Sequence, residues 1–164
     1  MTTSTHIKLG PCEGRTADLA TLGNRFMIDS AATDGRFALI EHTIAPRALA
    51  APLHVHERED EYSYVLSGRM GAQGGDEVVE AGPGELVFKP RGIWHAFWGA
   101  SDEETHVLEL ISPGDFAGYF EEIAPLLAAE QPDFAKLGEV QARYALTMDM
   151  DSIAPLMQQH NLRP

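Results

Sequence analysis

Between residues 25 and 111 the chain is divided into short apolar runs, each closed by glycine, proline or acidic turn residues. No other feature constrains the fold as strongly. The runs are 25–29, 36–44, 53–56, 61–66, 77–80, 85–89, 95–98 and 105–111. The breaks include Thr33-Asp34-Gly35, Ala45-Pro46, Gly74-Gly75-Asp76, Gly82-Pro83-Gly84 and Pro90-Arg91-Gly92. Short runs at near-regular spacing, with no long helical period between them, predict an all-β sandwich or barrel.

Past residue 112 the period changes. Ser112-Pro113-Gly114-Asp115 has the form of a capping box with proline at the first helical position. Phe116, Tyr119, Phe120, Ile123, Leu126 and Leu127 then recur at helical spacing, and Pro125 is expected to break or kink the run. A second helix is expected from Pro132, carrying Phe134, Leu137, Tyr144 and Leu146. A third, capped by Asp151 or Ser152, runs to about His160. The chain therefore divides into a β domain over residues 1–112 and a helical C-terminal extension, 113–164, packed on the same domain.

Composition narrows the function classes. Twelve basic against 25 acidic residues give a net charge of −13, and no Lys/Arg cluster offers a phosphate-binding face, which excludes nucleic acid as the expected partner. No run approaches a membrane span, and Met1-Thr-Thr-Ser-Thr-His-Ile-Lys8 lacks a signal-type apolar stretch. The single cysteine, Cys12, cannot form an internal disulfide and fits a reducing compartment, so the expected location is the cytoplasm.

The candidate site begins at His54-Val55-His56. Side chains two apart on a strand share a face, so both imidazoles can reach one ion. Glu61 opens the next apolar run. Its offset of five from His56 puts it on the opposite face of a straight strand, so a turn or bulge at 57–60 is needed to bring it back. The rest of Glu57-Arg58-Glu59-Asp60 reads as a solvated charge run. His95 follows the turn Pro90-Arg91-Gly92, with Phe97 on its face of the strand. Trp94, Ala96 and Trp98, of opposite parity, are expected to point outward or toward a partner.

Residues 54–68 read His-Xaa-His-Xaa4-Glu-Xaa6-Gly and residues 84–95 read Gly-Xaa5-Pro-Xaa-Gly-Xaa2-His, separated by residues 69–83. The pair resembles the first and second motifs of the cupin family, in the compact form of small single-domain bacterial, quercetinase-like proteins. The resemblance covers residues 46–99 in detail. It implies a small cupin β-barrel (a double-stranded β-helix or jelly roll) with short C-terminal α-helices. It also implies that His54, His56, Glu61 and His95 are metal ligands, and that Gly68, Gly84, Gly92 and Pro90 form turns. Two positions depart from the pattern: Ala48 stands where a glycine is expected and Gly99 where an asparagine is expected. Ser63 stands where a bulky aromatic is common, which would enlarge the pocket.

Imidazole and carboxylate ligands suit one divalent transition ion, Fe, Mn, Ni, Co, Cu or Zn, and leave positions open for water, substrate or dioxygen. The same ligands closing around four-coordinate zinc would make a structural site. The leading expectation is a metal-dependent dioxygenase acting on a small aromatic or polyhydroxylated compound. Glu61 would be ligand and catalytic base, and Ser63 and Phe97 would contact the substrate. The alternatives are a non-redox isomerase, lyase or decarboxylase and a non-catalytic small-molecule or metal-binding module. The resemblance further implies a homodimer that packs barrel strands and exchanges an N-terminal strand.

Other residues receive bland readings. His42 and His106 sit in candidate strands and are given no role. Cys12 has no neighbouring base. Gly71 to Gly75 reads as a hairpin turn, the aromatic residues near His95 as packing, and Met148 and Met150 as an exposed segment.

Overall fold

Residues 38–44 show how the sheets are built: Ala38, Ile40, His42 and Ile44 are buried while Leu39, Glu41 and Thr43 are half-exposed, as strand alternation requires. The computed structural model describes residues 8–163, and within them are eleven strands: β1 (Arg15–Thr16), β2 (Leu22–Ile28), β3 (Ala38–Ile44), β4 (Leu49–His56), β5 (Asp60–Ser67), β6 (Met70–Gly74), β7 (Glu77–Ala81), β8 (Leu86–Lys89), β9 (His95–Gly99), β10 (Thr105–Ser112) and β11 (Leu146–Asp149). They form two antiparallel sheets, ordered β1-β2-β3-β10-β5-β8 and β11-β4-β9-β6-β7. Each expected run is a strand. β1, β6 and β11 are additions. β1 pairs with β2 of the same chain, and the residues before Lys8, where part of the expected exchanging strand falls, lie outside the described residues.

Three helices follow the β-rich segment: α1 (Ala117–Leu127), α2 (Phe134–Arg143) and α3 (Ile153–Gln159). Asp133 caps α2 by accepting from the Lys136 amide at 3.0 Å. The expected capping box at 112–115 does not form. Ser112 is the last residue of β10, and its hydroxyl donates to the Arg36 carbonyl at 2.7 Å, so it is spent on tying β10 to the bend that precedes β3. A 3-10 turn, Gly114–Phe116, leads into α1 instead. Pro125 does not break α1, which runs on to Leu127. The buried Tyr119, Phe120 and Ile123 hold the helix against the core, and that packing outweighs one lost backbone bond.

Both sheets and the first two helices feed one core. Leu22, Phe26, Ile40, Val65, Met70, Phe97 and Val107 cluster there with Phe116, Phe120, Ile123, Leu137 and Val140.

Three corrections concern the second sheet. The glycines of 71–75 are not simply a turn. β6 occupies Met70–Gly74, and the turn is at Gly75 and Asp76. Gly71 is there because Trp98 packs on it: a Cβ at 71 would lie 2.1 Å from the indole nitrogen. Trp98 itself does not face outward. It is buried, and its ring stacks on His160 beyond α3, with centroids 4.0 Å apart. Finally, Tyr144 and Leu146 do not continue the second helix, and Met148 is not exposed. Leu146 and Met148 belong to β11 and pair with His56 and His54 of β4, while Met150 is exposed as expected.

Candidate metal centre

The chain brings its four expected ligands to the space between the sheets. β4 turns His54 and His56 inward past Val55, and the register of β4 on β9 sets His95 directly opposite His54, ring centroids 4.2 Å apart. Pro52 is accommodated where that register shifts between Ala51 and His54. Glu61 arrives differently from the expectation. The bend after His56 does not return the chain to the same face. It carries the chain across to β5 in the other sheet, and Glu61 then points back over the gap. All four side chains are buried, and one nitrogen or oxygen from each lies within 4.8 Å of the others.

Ring orientation favours a cation among these atoms. His54 Nδ1 donates to the Pro52 carbonyl at 2.8 Å and His95 Nδ1 donates to that of Ile93 at 3.1 Å, which turns both Nε2 atoms toward the cluster. His95 Nε2 then meets Glu61 Oε2 at 3.0 Å, and two acceptors hold that distance only with a proton or cation between them. His56 is buried with neither ring nitrogen hydrogen-bonded among the described residues, a condition that native interiors rarely tolerate. Its Nε2 lies 3.6 Å from Glu61 Oε1 and its Nδ1 3.5 Å from the buried Glu59. Burial and the neighbouring His95 and His56 push His54 well below the usual imidazole range, which keeps it in the neutral, metal-binding form. This donor set fits a divalent transition ion.

Behind the ligands lies a charged layer that sequence reasoning missed. Lys89, at the end of β8, sits 3.1 Å from Glu61 and 3.2 Å from Glu109, and Ser63 donates to the second Glu109 oxygen at 2.6 Å. Lys89 also lies over the Phe97 ring, 4.5 Å from its centroid. Burial raises the Glu61 carboxyl, yet Lys89, His56 and His95 outweigh it and leave Glu61 well below the normal carboxylate range. Burial pushes Glu109 up to about 7, although Lys89 pulls the other way. Burial opposes the charge on Lys89, and Glu109 and Glu61 more than compensate, raising it.

His54, His56 and Glu61 open onto a cavity of about 420 Å³. Its walls include Phe97 from β9, Leu22 and His42 from the first sheet, and Phe116, Tyr119, Phe120 and Leu137 from the helical segment. Phe116 packs edge-on against His56, centroids 4.3 Å apart. Of the two expected substrate contacts, Phe97 lines this cavity. Ser63 is wholly buried behind it and bonded to Glu109.

Residues 40–111 match the family described as Cupin domain. That segment, 40–111, is a cupin domain. Solved cupin-fold structures agree. KdgF from Halomonas sp. superposes with a TM-score of 0.57 at 19% identity, over 68% of this chain and 94% of that one. A mutant of the Bacillus subtilis oxalate decarboxylase OxdC gives 0.58 at 21%, over 71% of this chain and 32% of the decarboxylase. The polyketide cyclase RemF from Streptomyces resistomycificus gives 0.55 at 29%, over 66% and 79%. The first two likenesses speak for the fold alone. No curated protein sequence matches the chain.

The cupin match explains the floor of the site and stops short of its roof. Phe116, Tyr119, Phe120 and Leu137 all lie beyond residue 111. The two departures from the cupin pattern meet in space. Gly99 donates its amide to the Ala48 carbonyl at 2.9 Å, and a Cβ at 99 would lie 2.5 Å from the Ala45 carbonyl oxygen. Gly68, Gly84 and Gly92 take φ of 76°, 86° and 76°, as turn glycines in a cupin should. A signal for the missed residues did exist. Glu109 shares strand parity with Val107 and Ile111, and Lys89 shares it with the half-buried Val87, so both were marked as inward-facing.

Proposed function

We propose that this cupin is a cytoplasmic, metal-dependent enzyme acting on a small aromatic or polyhydroxylated compound, with dioxygenase chemistry as its leading reaction. One observation supports it most: a buried His54/His56/Glu61/His95 cluster at the foot of an apolar, aromatic-walled cavity of about 420 Å³. A divalent transition ion held by these four residues supplies Lewis acidity and, if redox-active, one-electron chemistry with dioxygen.

The protein's own groups do the remainder. Pro52 and Ile93 carbonyls fix the His54 and His95 rings, so the site is preorganised. Glu61, kept ionised by Lys89, is the carboxylate that accepts a proton from a substrate hydroxyl at Oε1 or Oε2. Phe97 and the helical aromatics grip the ring system and exclude water. Ser63 acts through Glu109 and Lys89. We take the two sheets to be the two walls of a cupin barrel.

The test is an oxygen-electrode assay of metal-reconstituted protein against flavonols and catechols. Oxygen uptake matching substrate loss, abolished in Glu61→Gln, is expected. Product formed at the same rate without oxygen would replace this with the second reading, a non-redox cyclase, isomerase or lyase. The likeness to RemF at 29% identity favours that alternative.

We also propose a homodimer. The first sheet ends in the open edge of β8, beside an outward apolar face of Tyr64, Leu66, Leu86 and Phe88. Light scattering should give about twice 17.9 kDa, and a monomer at that mass would remove the proposal.

A further inference from the structure

The turn between His56 and Glu61 carries four charged residues in a row, and only part of it is solvated. Glu57 and Arg58 are exposed, as a charge run should be, but Glu59 is 5% exposed and folds inward. Bonds at both ends hold the turn in that shape. The His56 carbonyl accepts from the Gly92 amide at 2.8 Å, and the Glu57 amide donates to the Ala145 carbonyl at 3.2 Å. Asp60 accepts from the Arg91 amide at 2.9 Å and from the Arg91 guanidinium at 3.0 and 2.7 Å.

Glu59 needs a partner there. Its Oε2 has none among the described residues, and a carboxylate is costly to bury unpaired. His56 Nδ1, 3.5 Å away, is in the same condition. The other two imidazoles of the centre each give Nδ1–H to a backbone carbonyl, Pro52 for His54 and Ile93 for His95. His56 makes no such bond among the described residues, and its Nε2 faces Glu61 at 3.6 Å. A ligating imidazole offers one nitrogen to the ion and gives its other N–H to an acceptor. With Nε2 turned to the centre, Nδ1 carries the proton, and Glu59 Oε2 is the acceptor that faces it. The gap exceeds a hydrogen bond by about half an ångström.

We propose that Glu59 is the positioning residue for His56: it accepts the Nδ1 proton once His56 gives Nε2 to an ion, so that one imidazole is backed by a carboxylate beside two backed by carbonyls. This rests on the reading of His54, His56, Glu61 and His95 as a metal centre. The consequence is a ranked ligand set. A bond to a carboxylate is charge-assisted, roughly twice as strong as one to a neutral carbonyl, and it raises the basicity of the ring. His56 is thereby the strongest nitrogen donor of the three. Glu59 sets how tightly the ion is held without touching it.

The experiment titrates zinc(II) into metal-free protein against a competing chelator, for wild type, Glu59→Gln, Glu59→Ala and, as a control for net charge, Glu57→Ala. Glu59→Ala should bind the ion roughly ten- to hundredfold more weakly. Glu59→Gln keeps an acceptor without the charge and should lie between Glu59→Ala and wild type. Glu57→Ala should match wild type. Nitrogen-15 NMR of zinc-loaded wild type gives a readout that needs no variant to fold: His56 should be protonated at Nδ1, with its N–H proton the furthest downfield of the three ligand histidines. In Glu59→Gln that proton should move upfield. Equal affinity in Glu59→Ala and wild type, an equal loss in Glu57→Ala, or a His56 ring protonated at Nε2 would each overturn the role of Glu59 and leave the metal centre standing. Wild type that binds no zinc would overturn both together.

Discussion

The floor and the roof of the cavity are built by opposite means. The floor is strands and charge: His54, His56, Glu61 and His95, backed by Lys89 and Glu109, every one of them buried. The roof is mostly helix and hydrocarbon: Phe116, Tyr119, Phe120, Ile123 and Leu137. The floor lies inside the cupin match over residues 40–111 and the roof lies outside it. The floor also carries strain of a definite kind, since His56 and one Glu109 oxygen lack hydrogen-bond partners among the described residues. Buried charge contributes little net stability, whereas buried apolar area contributes much. The difference teaches that the polar cluster and the apolar wall above it come from separable segments, and that the helical segment's packing helps to stabilise a costly polar floor.

Substitutions can break that division. The largest expected effect is on the floor. His54→Ala or His95→Ala should weaken metal binding by roughly a hundredfold or more, since removing even an outer partner of a ligand costs ten- to hundredfold. Circular dichroism should show the sheets intact, and elemental analysis after desalting checks the loss. Next, Lys89→Met leaves Glu61 and Glu109 buried without their cation. The metal-free variant should lose about 3–5 kcal/mol in a urea melt, and bound metal should return part of it through Glu61.

A roof substitution should do the reverse. Leu137→Ala should cost about 2–3 kcal/mol, at the low end for such a change because the cavity beside it can relax. Metal content should stay at the wild-type level while aromatic probes bind more weakly. Loss of metal in this variant would dissolve the distinction between the two regions.

The smallest effect concerns His42, between them. Its ring is pushed down to about 3 in the folded protein from an ordinary 6.5. The unfolded chain therefore binds the extra proton first, and stability is lost as pH falls from about 6.5 toward about 3. Between pH 6.5 and 5.5 wild type should lose about 1 kcal/mol more than His42→Phe, read from denaturant midpoints at the two pH values.

The sequence showed most of the floor, and it showed the helices of the roof but not that they cover the site. His54 and His56 announced themselves by strand parity, and all four residues, Glu61 and His95 included, by the two cupin motifs, and they do converge. The route of Glu61 was not visible, because an offset of five cannot distinguish a bulge within one sheet from a crossing to another. Lys89 and Glu109 were given no role, since parity turns them inward but says nothing about a partner that arrives from a distant strand. β11 was hidden for a related reason. Four residues, Leu146–Asp149, carry too little alternation to mark a strand, and only pairing with β4 makes them one. Gly71 was misread because its reason is the face of Trp98, which no local pattern encodes.

The most direct test of the metal centre is a cobalt(II) titration of metal-free protein followed by visible absorption, run in parallel on wild type and His54→Ala. One equivalent bound by wild type, with ligand-field bands absent from His54→Ala, is the predicted result. Bands of equal intensity in both proteins, or none in wild type, would contradict it.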